Sequence, residues 1–203
     1  MSKKIFLLFF TLFTFSLKVP AYDFENAGIY YTVSSRQKYT VAVTSSPQQR
    51  SAYRGEIVVP PSVVYEGKTF RVTEISKRAF QGCAQLVSLT VPASVVEIGD
   101  SAFFACTGLK YLVLEDGEKP LRVGSNSYHG VSAGQAIFHD CPLETLYLGR
   151  DLHYPESVGE IYNPFFQKGT LRTVTIGESA REIGSHAFQG CHSLVSFTVG
   201  SGV

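Results

Sequence analysis

The stretch 72-VTEISKRAFQGCAQLVSLTVPAS-94 decides the architecture. It returns as 95-VVEIGDSAFFACTGLKYLVLEDG-117 and again as 180-AREIGSHAFQGCHSLVSFTVGSG-202. In each copy a Glu-Ile pair is followed by Ala-Phe, then Cys, then Leu, then two alternating apolar residues. The first two copies are 23 residues apart, from Phe80 to Phe103. A fixed period of 20–50 residues marks a solenoid or array. The middle of the chain holds the same frame in weaker form. Ala133 to Cys141 aligns on Ile183 to Cys191, and Leu143, Leu146 and Leu148 follow one residue early. Glu160-Ile161 then precedes Phe166, with Gly169 where Cys is expected, and Leu171, Val174 and Ile176 follow. This reading gives five copies keyed by Phe80, Phe103, Phe138, Phe166 and Phe188. A leading strand lies upstream, where Glu56 to Val63 matches Ser88 to Val95. Tyr65-Glu66-Gly67-Lys68-Thr69 then reads as a hairpin turn between short β-branched runs.

Each copy holds two short alternating runs. In 86-LVSLTV-91 the apolar set is Leu86, Leu89 and Val91, and period-two alternation means a half-buried strand. The Ala79-Phe80 to Cys83 link is too short for a regular helix, so a single helical turn or 3₁₀ piece is expected there. One such unit has too little apolar surface to stand alone, and stacking buries a continuous core. Equivalent strands then pair in parallel about 4.8 Å apart. The expected inward ladder is Ile57, Leu89, Leu112, Leu146, Val174 and Phe197, and the keyed Phe residues form a second internal stack. Cys83, Cys106, Cys141 and Cys191 share one repeat position and are read as buried free thiols that pack. A continuous disulfide ladder is excluded by Gly169.

This pattern resembles the BspA-type leucine-rich repeat family, also called the Treponema-pallidum-type. The residues that carry the likeness are Ala79-Phe80-Gln81-Gly82-Cys83 through Pro92, and the resemblance covers residues ~56–203. The fold class it implies is a right-handed leucine-rich repeat solenoid of the β-rich α/β horseshoe type. A parallel strand ladder, short 3₁₀ or helical turns and an N-terminal β-hairpin cap are its expected parts. The resemblance also implies a secreted or surface bacterial protein that binds matrix proteins or other cells.

Working outward, residues 1–21 read as a signal peptide. Ser2-Lys3-Lys4 is basic, Ile5 to Phe15 is almost wholly apolar, and Val19-Pro20-Ala21 places cleavage after Ala21. The apolar run is shorter than the roughly 17–25 residues of a spanning helix, and no membrane span is expected after its removal. Residues 22–55 hold the alternating runs Ile29 to Val33 and Tyr39 to Val43, expected as the capping hairpin. The array is assigned to 56–203, with an insert near 115–130. It stops in mid-copy with no cap, which is read as truncation.

Composition narrows the function. Charged residues are 17% and apolar residues 44%, so the chain is not a disordered polar one. The formal charge is +1. Lys3, Lys4 and Lys18 lie in the leader, so the rest has no basic excess. No nucleic-acid partner is expected. His139-Asp140-Cys141 invites a nucleophile reading, but each residue occupies an ordinary repeat position and the thiol faces the core, whereas catalysis needs an exposed, activated thiolate. The five His residues form no metal-ligand spacing, and no phosphate loop is present. The expectation is a non-enzyme with no metal and no cofactor. Glu74, Glu97, Glu160 and Glu182 recur before Ile and are read as a solvated face.

The candidate binding surface is the outward face of the strand ladder. One column is Ser88, Tyr111, Thr145, Thr173 and Ser196, and the next is Thr90, Val113, Tyr147, Thr175 and Thr198. Both are uncharged and rich in hydroxyls, which suits exposed strands. Tyr111 and Tyr147 on adjacent rungs add recognition character, since Tyr is enriched at interfaces. The favoured function is an exported interaction module binding a protein or cell-surface ligand through this concave face. The alternative is a structural spacer or fragment of a larger envelope protein.

Overall fold

The computed structural model describes residues 22–47, 52–125, 137–138, 140–154, 163–184 and 186–203. The leader, its cleavage site and His139 lie outside them. Among the described residues fourteen strands form two sheets. The first sheet begins with β1 (Phe24–Asn26), β2 (Ile29–Ser35) and β3 (Thr40–Thr44). It continues through β6 (Lys68–Ile75), β8 (Glu97–Ile98), β10 (Leu121–Val123) and β12 (Leu152–His153), while β5 (Ser62–Tyr65) pairs with β6. The second contains β4 (Gly55–Val58), β7 (Leu86–Val91), β9 (Tyr111–Leu114), β11 (Thr145–Arg150), β13 (Thr173–Ser179) and β14 (Ser196–Val199), all paired in parallel. Strands β1 to β3 are antiparallel to one another, and β3 joins β6 in parallel. The turn expected at Glu66-Gly67 is present. Tyr65 pairs Lys68, and both turn residues have φ near +50° to +70°, the backbone that matches strand twist in a two-residue hairpin.

The core lies between the sheets. Leu89, Leu112, Leu146 and Val174 are in register and fully buried or nearly so. Phe197 takes the same register position on β14 but is 43% exposed, because β14 is paired on one side only. It is therefore not the core residue expected. Phe188 and Cys191 on the same rung are half-buried.

The Phe stack needs one correction. Phe80, Phe103 and Phe138 stack at 5.6 and 4.9 Å, but Phe165, not Phe166, continues the column, 5.8 Å from Phe138 and 5.7 Å from Phe188. Phe165 is 1% exposed, whereas Phe166 is only half-buried. The physical reason is the spacing to the next strand. From Phe165 to Leu171, Val174 and Ile176 the steps equal those from Phe80 to Leu86, Leu89 and Val91. The fourth copy is thus not short, and its Cys slot holds Lys168 rather than Gly169. Tyr53 adds a member at the other end, 4.7 Å from Phe80. Its hydroxyl donates to the Thr44 carbonyl at 2.6 Å and accepts from the Tyr30 N–H at 3.1 Å.

The links between the sheets are hydrogen-bonded turns; no helix is found among the described residues. Ala79, Gln81 and Cys83 donate to the carbonyls of Ser76, Arg78 and Phe80, as a 3₁₀ helix would require. Arg78 and Gly82, however, stand at φ +60° and +75°, and Ser101 and Ala105 repeat the pattern at +54° and +60°. A left-handed residue every fourth position breaks the helical run. The insert also moves. Arg122 and Val123 pair with Glu97 and Ile98, and Leu121 and Arg122 with Leu152 and His153. Both middle copies therefore keep their first-sheet strand, and their extra residues follow it. Glu160-Ile161 lies outside the described residues.

A hydroxyl-lined strand face anchored by Tyr147 and Asp116

Parallel pairing puts the two expected columns in exact register. Ser88 pairs Tyr111, Tyr111 pairs Thr145, Thr145 pairs Thr173 and Thr173 pairs Ser196. Thr90, Val113, Tyr147, Thr175 and Thr198 form the parallel row. Strand β4 extends both rows with Glu56 and Val58, which the sequence reading did not include. All ten expected residues are half-buried or exposed, and Tyr111 is 43% exposed. This follows from the pleat, because alternate side chains leave opposite faces and the Leu and Val between them fill the core.

Tyr147 is held in place. Its phenol donates to the Asp116 carboxylate, and Asp116 also accepts from the backbone N–H of Ser179 at 3.1 Å. That hydrogen bond, with burial second, pushes the Tyr147 phenol up to about 12. Burial pushes the Asp116 carboxyl upward. The Tyr147 phenol and the N–H groups of Ser179 and Glu178 outweigh it and hold the carboxyl below its ordinary value. Gly177 makes room for the pair: a Cβ there would lie 2.5 Å from Asp116 Oδ1 and 2.6 Å from the Tyr147 oxygen. Gly149 lets β11 approach the Asp116 backbone in the same way. Asp116 bridges 31 residues to Tyr147. The only sequence signal was Gly following Leu148 and Ile176 where the first copies carry Pro92 and Glu115.

Beneath this edge lies Arg150, fully buried. Its guanidinium donates to the carbonyls of Pro92, Ala93 and Val95 at 2.9, 3.1 and 2.7 Å. It thereby satisfies the turn that leaves β7, where buried carbonyls need donors. Desolvation lowers its pKa. Nothing in the repeat pattern pointed to it.

The cysteines form a hydrogen-bonded column. Cys106, Cys141 and Cys191 aim their thiols at the carbonyls of Phe80, Phe103 and Phe165, at 3.0, 3.6 and 3.3 Å. All four are free. Lys168 fills the slot between Cys141 and Cys191 and donates through Nζ to the Phe138 carbonyl. Burial pushes the Cys83 thiol up to about 11 and Cys141 to about 12, away from the thiolate a nucleophile requires. The Glu row is likewise structural. Glu74 sits beside Glu97, and Glu97 pairs with Arg122 at 2.6 Å. Burial, then Glu97, raises the Glu74 carboxyl.

Residues 73–203 match the family described as "BspA type Leucine rich repeat region", in six copies. The chain belongs to the BspA-type leucine-rich repeat family. No curated protein matches its sequence. Among solved structures this BspA-type protein resembles the T. pallidum leucine rich repeat protein, at 21% identity over 87% of this chain and 81% of that one, TM-score 0.53. It also resembles a leucine rich cell surface protein from Faecalibacterium prausnitzii, at 22% identity over 89% and 43%, TM-score 0.52. A leucine-rich repeat protein from Bacteroides ovatus matches at 19% identity over 90% and 54%, TM-score 0.49. The chain therefore spans about half the length of the latter two. Among the described residues no helix is long and apolar enough to cross a membrane.

Proposed function

We propose that this BspA-type protein is an exported interaction module that binds a protein or cell-surface ligand through the outward face of its second sheet. It acts by binding rather than by catalysis. The observation that carries the reading is the pair of in-register columns, uncharged at every expected position and centred on the exposed Tyr111 and the fixed Tyr147. Tyr offers large contact area at low entropic cost, and here one ring is already immobilised. The non-catalytic reading draws support from the buried thiols, whose pKa values are raised. Export draws support from the leader-like residues 1–21 and from the surface description of the F. prausnitzii protein. In the same reading β1 to β3 cap the array, joined to the Phe stack by Tyr53.

The test is saturation binding of the protein to a panel of extracellular matrix proteins and bacterial surfaces. The expected result is saturable, salt-resistant binding to a partner, lost in the Tyr111→Ser, Tyr147→Ser double variant with its thermal midpoint near the parent's. Unchanged binding in that variant overturns the site.

A further inference from the structure

Next to Tyr147 the strand face dips into a shallow depression of about 470 Å³, bounded by Val113, Glu115, Asp116 and Tyr147. The half-buried Val113 and Tyr147 line it, and Tyr147 is held by Asp116, which Ser179 holds in turn. A side chain already tethered needs little ordering on binding, which lowers the entropic cost.

Its polar groups are acceptors. Glu115 Oε2 accepts from the Ala93 N–H at 3.3 Å, and Asp116 accepts from Tyr147 and Ser179. Asp116 also takes the Glu178 N–H and its own backbone N–H, so of the two carboxylates Glu115 is the one with spare acceptor capacity. Thr175 pairs with Tyr147 in the register, and Thr145 lies two residues before it on the same strand. A fitting ligand offers a flat C–H face to the ring and several hydroxyl donors at its edge, and carries no negative charge. Protein partners are a poorer match. Hot spots are enriched in Trp, Tyr and Arg, with Ser, Thr and Val under-represented, and here the surrounding columns are mostly Ser and Thr.

We propose that this depression binds a neutral sugar residue, stacked on the Tyr147 ring and hydrogen-bonded through its hydroxyls to Glu115. The inference rests on the strand face being the binding surface, and names its ligand class.

The test is an array of immobilised neutral, sialylated and sulfated oligosaccharides together with a Lys-rich peptide, probed with the full protein. In parallel, the matrix-protein panel is probed before and after enzymatic deglycosylation. Expected is binding to neutral oligosaccharides, with acidic ones excluded. Tyr147→Ala should weaken it by at least about tenfold; Tyr147→Phe, which keeps the ring, should weaken it less. Circular dichroism and the thermal midpoint confirm that both variants fold. Sugar binding indifferent to Tyr147→Ala overturns the location. Preference for the Lys-rich peptide overturns the ligand class. Binding that persists on deglycosylated proteins and falls with Tyr111→Ser overturns the sugar assignment while the face reading survives; binding to nothing overturns both.

Discussion

Lys168 stands where every other copy with a described Phe carries a cysteine, and its replacement is the sharpest test of the repeat frame. The side chain is 3% exposed and donates to the Phe138 carbonyl. Desolvation lowers its pKa from 10.5 to about 8, opposed by Cys141, Asp140 and Cys191, the ionisable groups around it. One pKa unit corresponds to about 1.4 kcal/mol, so holding this ammonium in the core costs on the order of 3 kcal/mol below pH 8. The sign follows from proton counts. Between pH 8 and 10.5 the unfolded chain holds the proton more tightly than the folded one, so stability rises with pH across that window and the cost disappears above it.

Lys168→Met keeps the length of the side chain and removes the charge. It leaves the Phe138 carbonyl without this donor, a loss of about 1 kcal/mol. The variant should therefore be more stable than the parent by roughly 1–2 kcal/mol at pH 7. Urea midpoints at pH 7 and pH 10 measure this, and the advantage should shrink or reverse at pH 10. The thiols and phenols remote from Lys168 that also titrate at pH 10 are common to both proteins and cancel. A Met variant that loses stability at pH 7 and shows the same difference at both pH values would refute the buried-cation reasoning. Lys168→Cys restores the column's thiol but leaves space unfilled, so its gain should be smaller.

The frame correction separates two neighbours: Phe165→Ala should cost about 3–5 kcal/mol, as for a buried aromatic, and Phe166→Ala much less, read from urea midpoints. Gly177→Ala places a Cβ 2.5 Å from Asp116 Oδ1 and 2.6 Å from the Tyr147 oxygen. It should break their bond, and ultraviolet titration should show the Tyr147 phenol returning from about 12 toward its ordinary value. In the folded protein the half-buried Cys191 should react first with an aromatic disulfide reagent, while Cys83, Cys106 and Cys141 wait for unfolding; equal rates would contradict the column. Arg150→Met leaves the carbonyls of Pro92, Ala93 and Val95 without its guanidinium. It should lower the thermal midpoint despite removing a buried charge: Pro92 keeps the Val95 N–H, but Ala93 and Val95 lose their donor, and an unpaired buried acceptor costs about 1–3 kcal/mol.

The parts of the fold that could be read in advance are those where copies are chemically alike. Leu89, Leu112, Leu146 and Val174 repeat with the pleat's period of two, and parallel pairing carries the intervening residues into columns with no further information. The parts that were misread are those where extra residues enter. Glu160-Ile161 resembles Glu74-Ile75 and drew the frame to Phe166, whereas spacing to Leu171 selects Phe165. Letter identity misled there because packing depends on the distance from Phe to strand, which the core enforces on every rung. Lys168 carries no repeat letter either, and a lysine is almost never fully buried. Its long stem reaches the carbonyl that a thiol reaches elsewhere.

Asp116 and Arg150 fill a repeat position that differs in every copy, Gly149 and Gly177 share theirs with Gly200, and all four meet at the strand exits beside Tyr147. Gly177 admits the Tyr147–Asp116 pair, Gly149 admits the Asp116 backbone, and Arg150 holds the turn that leaves β7. A ring tethered across 31 residues, with glycines that leave room for the tether, is a stronger pointer to a site than exposure of a ring alone. That is why the depression at Tyr147, rather than the more exposed Tyr111, is the place on the face where ligand chemistry should be sought.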